Sequence, residues 1–262
     1  MIIKSISFLL MSTFVALLST QIATAANQQE LTVSAAISLK NAFEEIGKLF
    51  EAEHKGIKVN FNFGASGDLV RQIEGGAPVD VFASAAQKDM DEAEKKGLIL
   101  PNSRINFAGN SVVLITPADS RIPIKTFQDL GIDKVKKIAA GNPKTVPAGR
   151  YAEEIFIYFK MLATIKNKLI YAENVRQVLD YVTRGEVDAG VVYLTDAMVK
   201  AKDIRIVATA PEDSHKPVIY PAAVVKGTNK KILAKAFVSL LISEKGKKVL
   251  ERHGFKLIKN VQ

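Results

Sequence analysis

The 262-residue chain contains no cysteine and no tryptophan, and only three histidines. Without cysteine there is no disulfide, no thiol nucleophile, no Cys-ligated zinc and no lipid carried on a cysteine behind a cleaved leader. With His54, His215 and His253 as the only imidazoles, a Ser-His-Asp hydrolase has few sources of a base. Gly64-Ala65-Ser66-Gly67 also departs from the G-x-S-x-G nucleophile elbow. The H-E-x-x-H zinc spacing, the phosphate-binding G-x-x-x-x-G-K-[ST] loop and the dinucleotide G-x-G-x-x-G fingerprint are all missing. Long apolar runs are equally scarce. Beyond the first 25 residues no stretch reaches the roughly 18–20 apolar residues of a bilayer span.

What is present begins with a leader. Lys4 supplies a positive start, Ile6 to Leu18 is apolar, and Ala23-Thr24-Ala25 gives a small-x-small cleavage pattern, so residues 1–25 read as a secretory signal peptide. The expected mature protein is soluble, and with neither disulfide nor lipid anchor it suits the periplasm. The rest is of ordinary globular composition, 48% hydrophobic and 24% charged. The formal net charge is +9. Its lysines are scattered among acids without interleaved aromatics, which predicts a solvated basic surface and no nucleic-acid partner.

Short β-rich runs alternate with helical patterns. Residues 31–36, 58–63 and 79–83 read as strands, separated by helices over 38–53 and 68–74 and followed by one over 87–96; this order implies a mostly parallel sheet covered by helices. A second set follows, with strands at 111–116, 137–140 and 187–193 and helices at 151–165 and 175–183. A strand at 218–226 and helices at 230–241 and 244–252 close the chain. No Gly/Ser/Pro-rich linker separates the halves. The expected fold class is therefore α/β, two lobes joined by crossing strands near 105–111 and 217–222. The boundaries expected are 27–107 for the first part of lobe 1, 108–220 for lobe 2 and 221–262 for the return to lobe 1.

Four strand-to-helix turns carry small or capping residues. Ser38 and Ser66 stand where an N-cap belongs, Pro147 opens a helix in Val146-Pro147-Ala148-Gly149, and Asn174 precedes Val175 as a cap. Helix N-termini leave N–H groups unpaired and carry the positive end of the helix dipole. In an open α/β sheet such turns fall at the strand ends where ligands bind. Several of them converging would hold an anion without any charged side chain.

The combination Ala35-Ala36-x-Ser38-Leu39, Arg71-Gln72-Ile73-Glu74-x-Gly76-Ala77-Pro78-x-Asp80 and Phe82-x-Ser84-Ala85 resembles the molybdate-binding proteins of ABC transporters. So do Val146-Pro147-Ala148-Gly149-x-Tyr151-Ala152, Val192-Tyr193 and Pro211-Glu212-Asp213-Ser214-His215-Lys216, collinear from about residue 30 onward. The resemblance implies a periplasmic-binding-protein architecture, mixed and mostly parallel sheets flanked by helices, with the cleft between lobes. It implies an oxyanion shell of Ser38, Ser66, Ala148, Val175 and Tyr193, with molybdenum held as molybdate (or tungstate) and no direct metal coordination. It further implies a monomer that hands its cargo to a membrane permease, no cofactor and no catalysis.

An all-donor shell suits a dianion that only accepts hydrogen bonds, whereas hydrogen phosphate brings a proton that needs an acceptor. Sulfate passes the same test, so sulfate or phosphate capture is the alternative reading and a secreted serine hydrolase a more distant one. Asp68, two residues from Ser66, reads either as a first-turn acid favoured by the helix dipole or as a proton acceptor that would admit phosphate. Ferric-iron capture would need clustered phenols, and Tyr151, Tyr158, Tyr171, Tyr181, Tyr193 and Tyr220 include no adjacent pair.

Overall fold

The computed structural model describes residues 29–258, and the expected leader lies outside them. Strands β1 (Gln29–Ala36), β2 (Ile57–Gly64), β3 (Val81–Ala83) and β4 (Ile105–Gly109) are interleaved with helices α1 (Lys40–Glu53), α2 (Ser66–Glu74) and α3 (Gln87–Lys95). A second set follows: β5 (Val112–Pro117), β6 (Ile138–Gly141), α4 (Pro147–Tyr158), α5 (Leu162–Ile165), β7 (Leu169–Ala172), α6 (Val175–Thr183), β8 (Ala189–Tyr193), α7 (Leu194–Val199) and β9 (Ile204–Thr209). The chain ends with β10 (Ile219–Val224), α8 (Lys231–Ile242) and α9 (Glu244–Arg252).

Two five-stranded sheets result, ordered β2-β1-β3-β10-β4 and β7-β6-β8-β5-β9. In the first, β1 runs parallel to β2 and β3, and β10 runs antiparallel to β3 and β4. In the second, β6 runs parallel to β7 and β8, and β5 antiparallel to β8 and β9. Both sheets are mixed because each receives one strand from a crossing of the chain. The chain leaves the first sheet after Gly109 and returns to it at Ile219.

Periodicity explains the elements. Leu31, Val33 and Ala35 in β1 are fully buried, and so is Ser34 on the opposite face, as a parallel strand covered on both sides requires. Helix α1 buries Ala42, Phe43, Ile46, Gly47 and Phe50, a single helical stripe. Phe237 of α8 meets Phe43 and Phe50 edge-on, with ring centroids 5.9 and 5.4 Å apart. That contact brings the C-terminal helix onto the first sheet's α1.

One expected helix is broken. The pattern over 151–165 is two helices, because α4 starts earlier, at Pro147, and ends at Tyr158. The chain turns through Lys160, at φ 55°, with Lys160 N–H donating to Ile157 O and Met161 N–H to Phe156 O, each at 2.9 Å. Strands β7 and β9 and helix α7 were not expected. Both strands lie at sheet edges and are only partly buried, so they lack the alternation that marks a half-buried strand. Among the described residues no helix is long and apolar enough to cross a membrane.

Candidate functional site

The parallel strands β1, β2 and β3 end on one edge of the first sheet, and β6, β7 and β8 end on one edge of the second. The turns that leave these edges meet across a small cavity of about 10 Å³. All five residues expected at the site line it: Ser38 and Ser66 from the first sheet's side, Ala148, Val175 and Tyr193 from the second's. Sites for organic molecules run to roughly 300–1,000 Å³, and this pocket is far below that range.

The local structure departs from the capping expectation in an instructive way. Ser38 is not an N-cap; it sits inside a 3₁₀ turn, Ile37–Leu39, whose cap is Ala36. Ser66 is not a cap either, because Ala65 takes that position and Ser66 is the first helical residue of α2. A capping serine would spend its oxygen on its own helix. Both hydroxyls are therefore left for other work. Pro147 does open α4, and Asn174 does cap α6, its Oδ1 accepting from Gln177 N–H at 3.0 Å.

Each serine oxygen is instead backed by a protein donor. Ala85 N–H donates to Ser66 Oγ at 3.0 Å. Ser38 Oγ lies 3.1 Å from Tyr220 Oη, and Asn110 Nδ2 donates to that phenol at 3.2 Å. The amide of Asn110 is fixed by its own oxygen, which accepts Ser111 N–H at 2.9 Å. With the phenol oxygen accepting from Asn110, its proton goes to Ser38. Each serine then has its own hydrogen to present to the cavity.

The backbone adds further donors. First-turn N–H groups have no partner within their own helix. Among the described residues those of Ser38, Ser66, Ala148 and Val175 donate to no protein acceptor. Close packing brings α4 this near: Gly149 lies against the carbonyl of Gly141, where any Cβ would collide. Tyr193 is 1% exposed, and its hydroxyl makes only a long 3.4 Å bond to Ala85 O. Burial pushes the Tyr193 and Tyr220 phenols well above their usual range, so both stay protonated.

No charged side chain lines the cavity. Asp68 pairs with Arg71 on the surface of α2 and does not line the cavity. A larger open groove of about 800 Å³ lies around Asp80 in the first sheet's half. Its carboxylate already accepts from Thr32 N–H, Thr228 and Lys230, which makes it an anchor rather than a vacant site. Among the described residues no group of three or more His, Asp or Glu side chains is arranged to hold a metal ion.

Ala85, Asn110 and Tyr220 are the positions that sequence reasoning missed. Tyr220 sits in a plain strand pattern and Asn110 in a crossing segment, and nothing local marks either as a partner of Ser38.

Residues 31–256 match the profile of the bacterial extracellular solute-binding proteins. The molybdate-binding protein ModA of Escherichia coli is 41% identical over 239 residues, which is 88% of this chain and 90% of that one. ModA of Haemophilus influenzae is 36% identical over 229 residues, 86% of this chain and 89% of the other. Among solved structures, the periplasmic molybdate-binding protein of Azotobacter vinelandii superposes with a TM-score of 0.78 at 24% identity, over 87% of this chain and all of that one. Two mixed sheets with a cavity between their strand ends form the two-lobed periplasmic-binding-protein fold, and the chain belongs to the bacterial extracellular solute-binding protein family.

Proposed function

We propose that this protein captures molybdate, or tungstate, in the periplasm and delivers it to the membrane permease of an ABC transporter. The observation that carries the reading is a small cavity lined by unpaired amides, by hydroxyls and by no carboxylate. Ser38, Ser66, Ala148, Val175 and Tyr193 form the oxyanion shell in this reading. Lobe 1 comprises residues 27–107 and 221–262, lobe 2 residues 108–220, and residues 1–25 are the cleaved leader. The protein acts as a monomer, without cofactor and without catalysis.

Hydrogen bonds to charged groups contribute about 1.5–3 kcal/mol each, so several fixed donors offset the desolvation of a dianion. Hydrogen phosphate is refused because its proton would face donors only. Sulfate meets the same donors on equal terms, and preference for the larger ion draws on the likeness to the ModA proteins.

Calorimetric titration of the leaderless chain against molybdate, tungstate, sulfate and phosphate tests this. Tight binding of the first two, with sulfate weaker and phosphate silent, is expected. Preferential sulfate binding would replace the proposed cargo, and phosphate binding would overturn the all-donor argument.

A further inference from the structure

The two helices that aim an amide at the cavity from the second lobe each carry an arginine just beyond it: Arg150 follows Ala148 in α4, and Arg176 follows Val175 in α6. Both guanidiniums reach across to the first lobe. Arg150 donates to Asp89 of α3, and the two side chains are 13% and 4% exposed. Arg176 is anchored in its own lobe by the buried Asp196 and donates from Nη2 to Asn41 Oδ1 of α1 at 2.9 Å. Gly67 N–H meets Thr145 O at 3.0 Å in a third crossing, with no room for a side chain: a Cβ at residue 67 would stand 2.9 Å from that oxygen. Neither arginine, nor Asp89 or Asn41, lines the cavity.

We propose that Arg150–Asp89 and Arg176–Asn41 are two clasps that fix the register of lobe closure and retain the anion by slowing its release. This rests on the anion-binding reading above. Each arginine is rigidly joined to a ligand-facing amide through less than one helical turn, so seating the clasp and seating the donor are one movement. An ion pair withdrawn from water is close to break-even as a unit, because desolvation offsets the attraction. Losing one member is different, since the survivor is then buried alone. The Arg150–Asp89 clasp therefore adds little to closure as such but penalises every closure in which its partners fail to meet. Arg176–Asn41 does so more gently, because its acceptor is neutral.

The test compares wild-type protein with Arg150→Gln, Asn41→Ala, Arg150→Lys and the double variant Asp89→Asn/Arg150→Gln. Affinity for sodium molybdate is taken by calorimetry, and release by rapid filtration of radiolabelled molybdate under a tungstate chase. Truncating one member of a buried charge pair acts mainly on the off-rate. Arg150→Gln should speed release by about 10–100-fold, with association changed less than about 3-fold. Asn41→Ala, which leaves the Arg176–Asp196 pair whole, should speed release by about 3–10-fold. The double variant should be milder than Arg150→Gln alone, Arg150→Lys should restore part of the slow release, and unliganded melting temperatures should stay within about 2 °C of wild type.

Wild-type binding with unchanged release in both Arg150→Gln and Asn41→Ala would overturn the clasps alone. A fall in unliganded stability as large as the liganded one would do the same, since it would make the pair a plain packing contact. Absence of molybdate binding by the wild type would overturn the function proposed above and the clasps with it.

Discussion

The two sides of the cleft offer the same chemistry by different means. The first lobe presents serine hydroxyls, each braced from behind: Ser66 by the Ala85 amide, Ser38 by Tyr220 and through it Asn110. The second lobe presents bare main chain, the first-turn amides of Ala148 and Val175, and adds one protonated phenol. A hydroxyl can rotate and so needs a partner to aim it. An amide at a helix start is aimed by the helix itself. Side-chain identity should therefore matter greatly on the first side, and backbone chemistry on the second.

Ser66→Ala should break the comparison most severely. It removes one ligand donor and also leaves the buried Ala85 amide without its acceptor, so molybdate affinity should drop by about 100-fold, against about 10-fold for Ser38→Ala. Calorimetry decides it, and equal wild-type affinity in both variants would remove the serines from the shell.

A paired substitution sharpens the other side. Val175→Pro deletes the amide hydrogen at the first helical position, where proline is well tolerated. Asn174 already has the extended backbone, φ −158° and ψ 169°, that a residue before proline requires. A loss of about 10–50-fold is expected for proline and less than about 3-fold for Val175→Ala. Equal losses would mean that the valine side chain, not its amide, carries the contact.

The smallest effect concerns pH. Burial pushes the Asp89 carboxyl up to about 6, outweighing Arg150, while the neighbouring Lys88 lowers it and Glu92 raises it; Tyr151 also lies close. A carboxyl with a higher pKa folded than unfolded holds its proton better in the folded state. Its contribution is complete below about pH 4 and is lost as pH rises through about 6. The melting temperature of molybdate-bound wild type relative to molybdate-bound Asp89→Asn should therefore fall by about 2–6 °C from pH 5 to pH 7.5. Parallel curves would show that Asp89 ionises as easily buried as in water.

Much of this was legible beforehand. Helix α9 and α6 fall on the residues their periodicity marks, and Pro147 and Asn174 start their helices as read. The capping read at the two serines does not hold: Ser38 and Ser66 line the cavity, but neither caps a helix. Small hydroxyl residues at strand ends announce a turn whose backbone is accessible, but they do not reveal whether the oxygen serves the helix or the cleft. That choice depends on Ala85 and Tyr220, 19 and 182 residues away. Asp68 was ambiguous for the same reason, and the nearby Arg71 settled which way it turned.

By itself the sequence determined the α/β alternation, the two lobes and the uncharged turns, because hydrophobic period and capping chemistry act within a few residues. Only the tertiary structure decided that the turns share one small cavity, which partner braces each hydroxyl, and that Arg150 and Arg176 reach the opposite lobe. Those contacts join segments far apart in the chain, and their geometry is set by how two sheets pack rather than by any local preference.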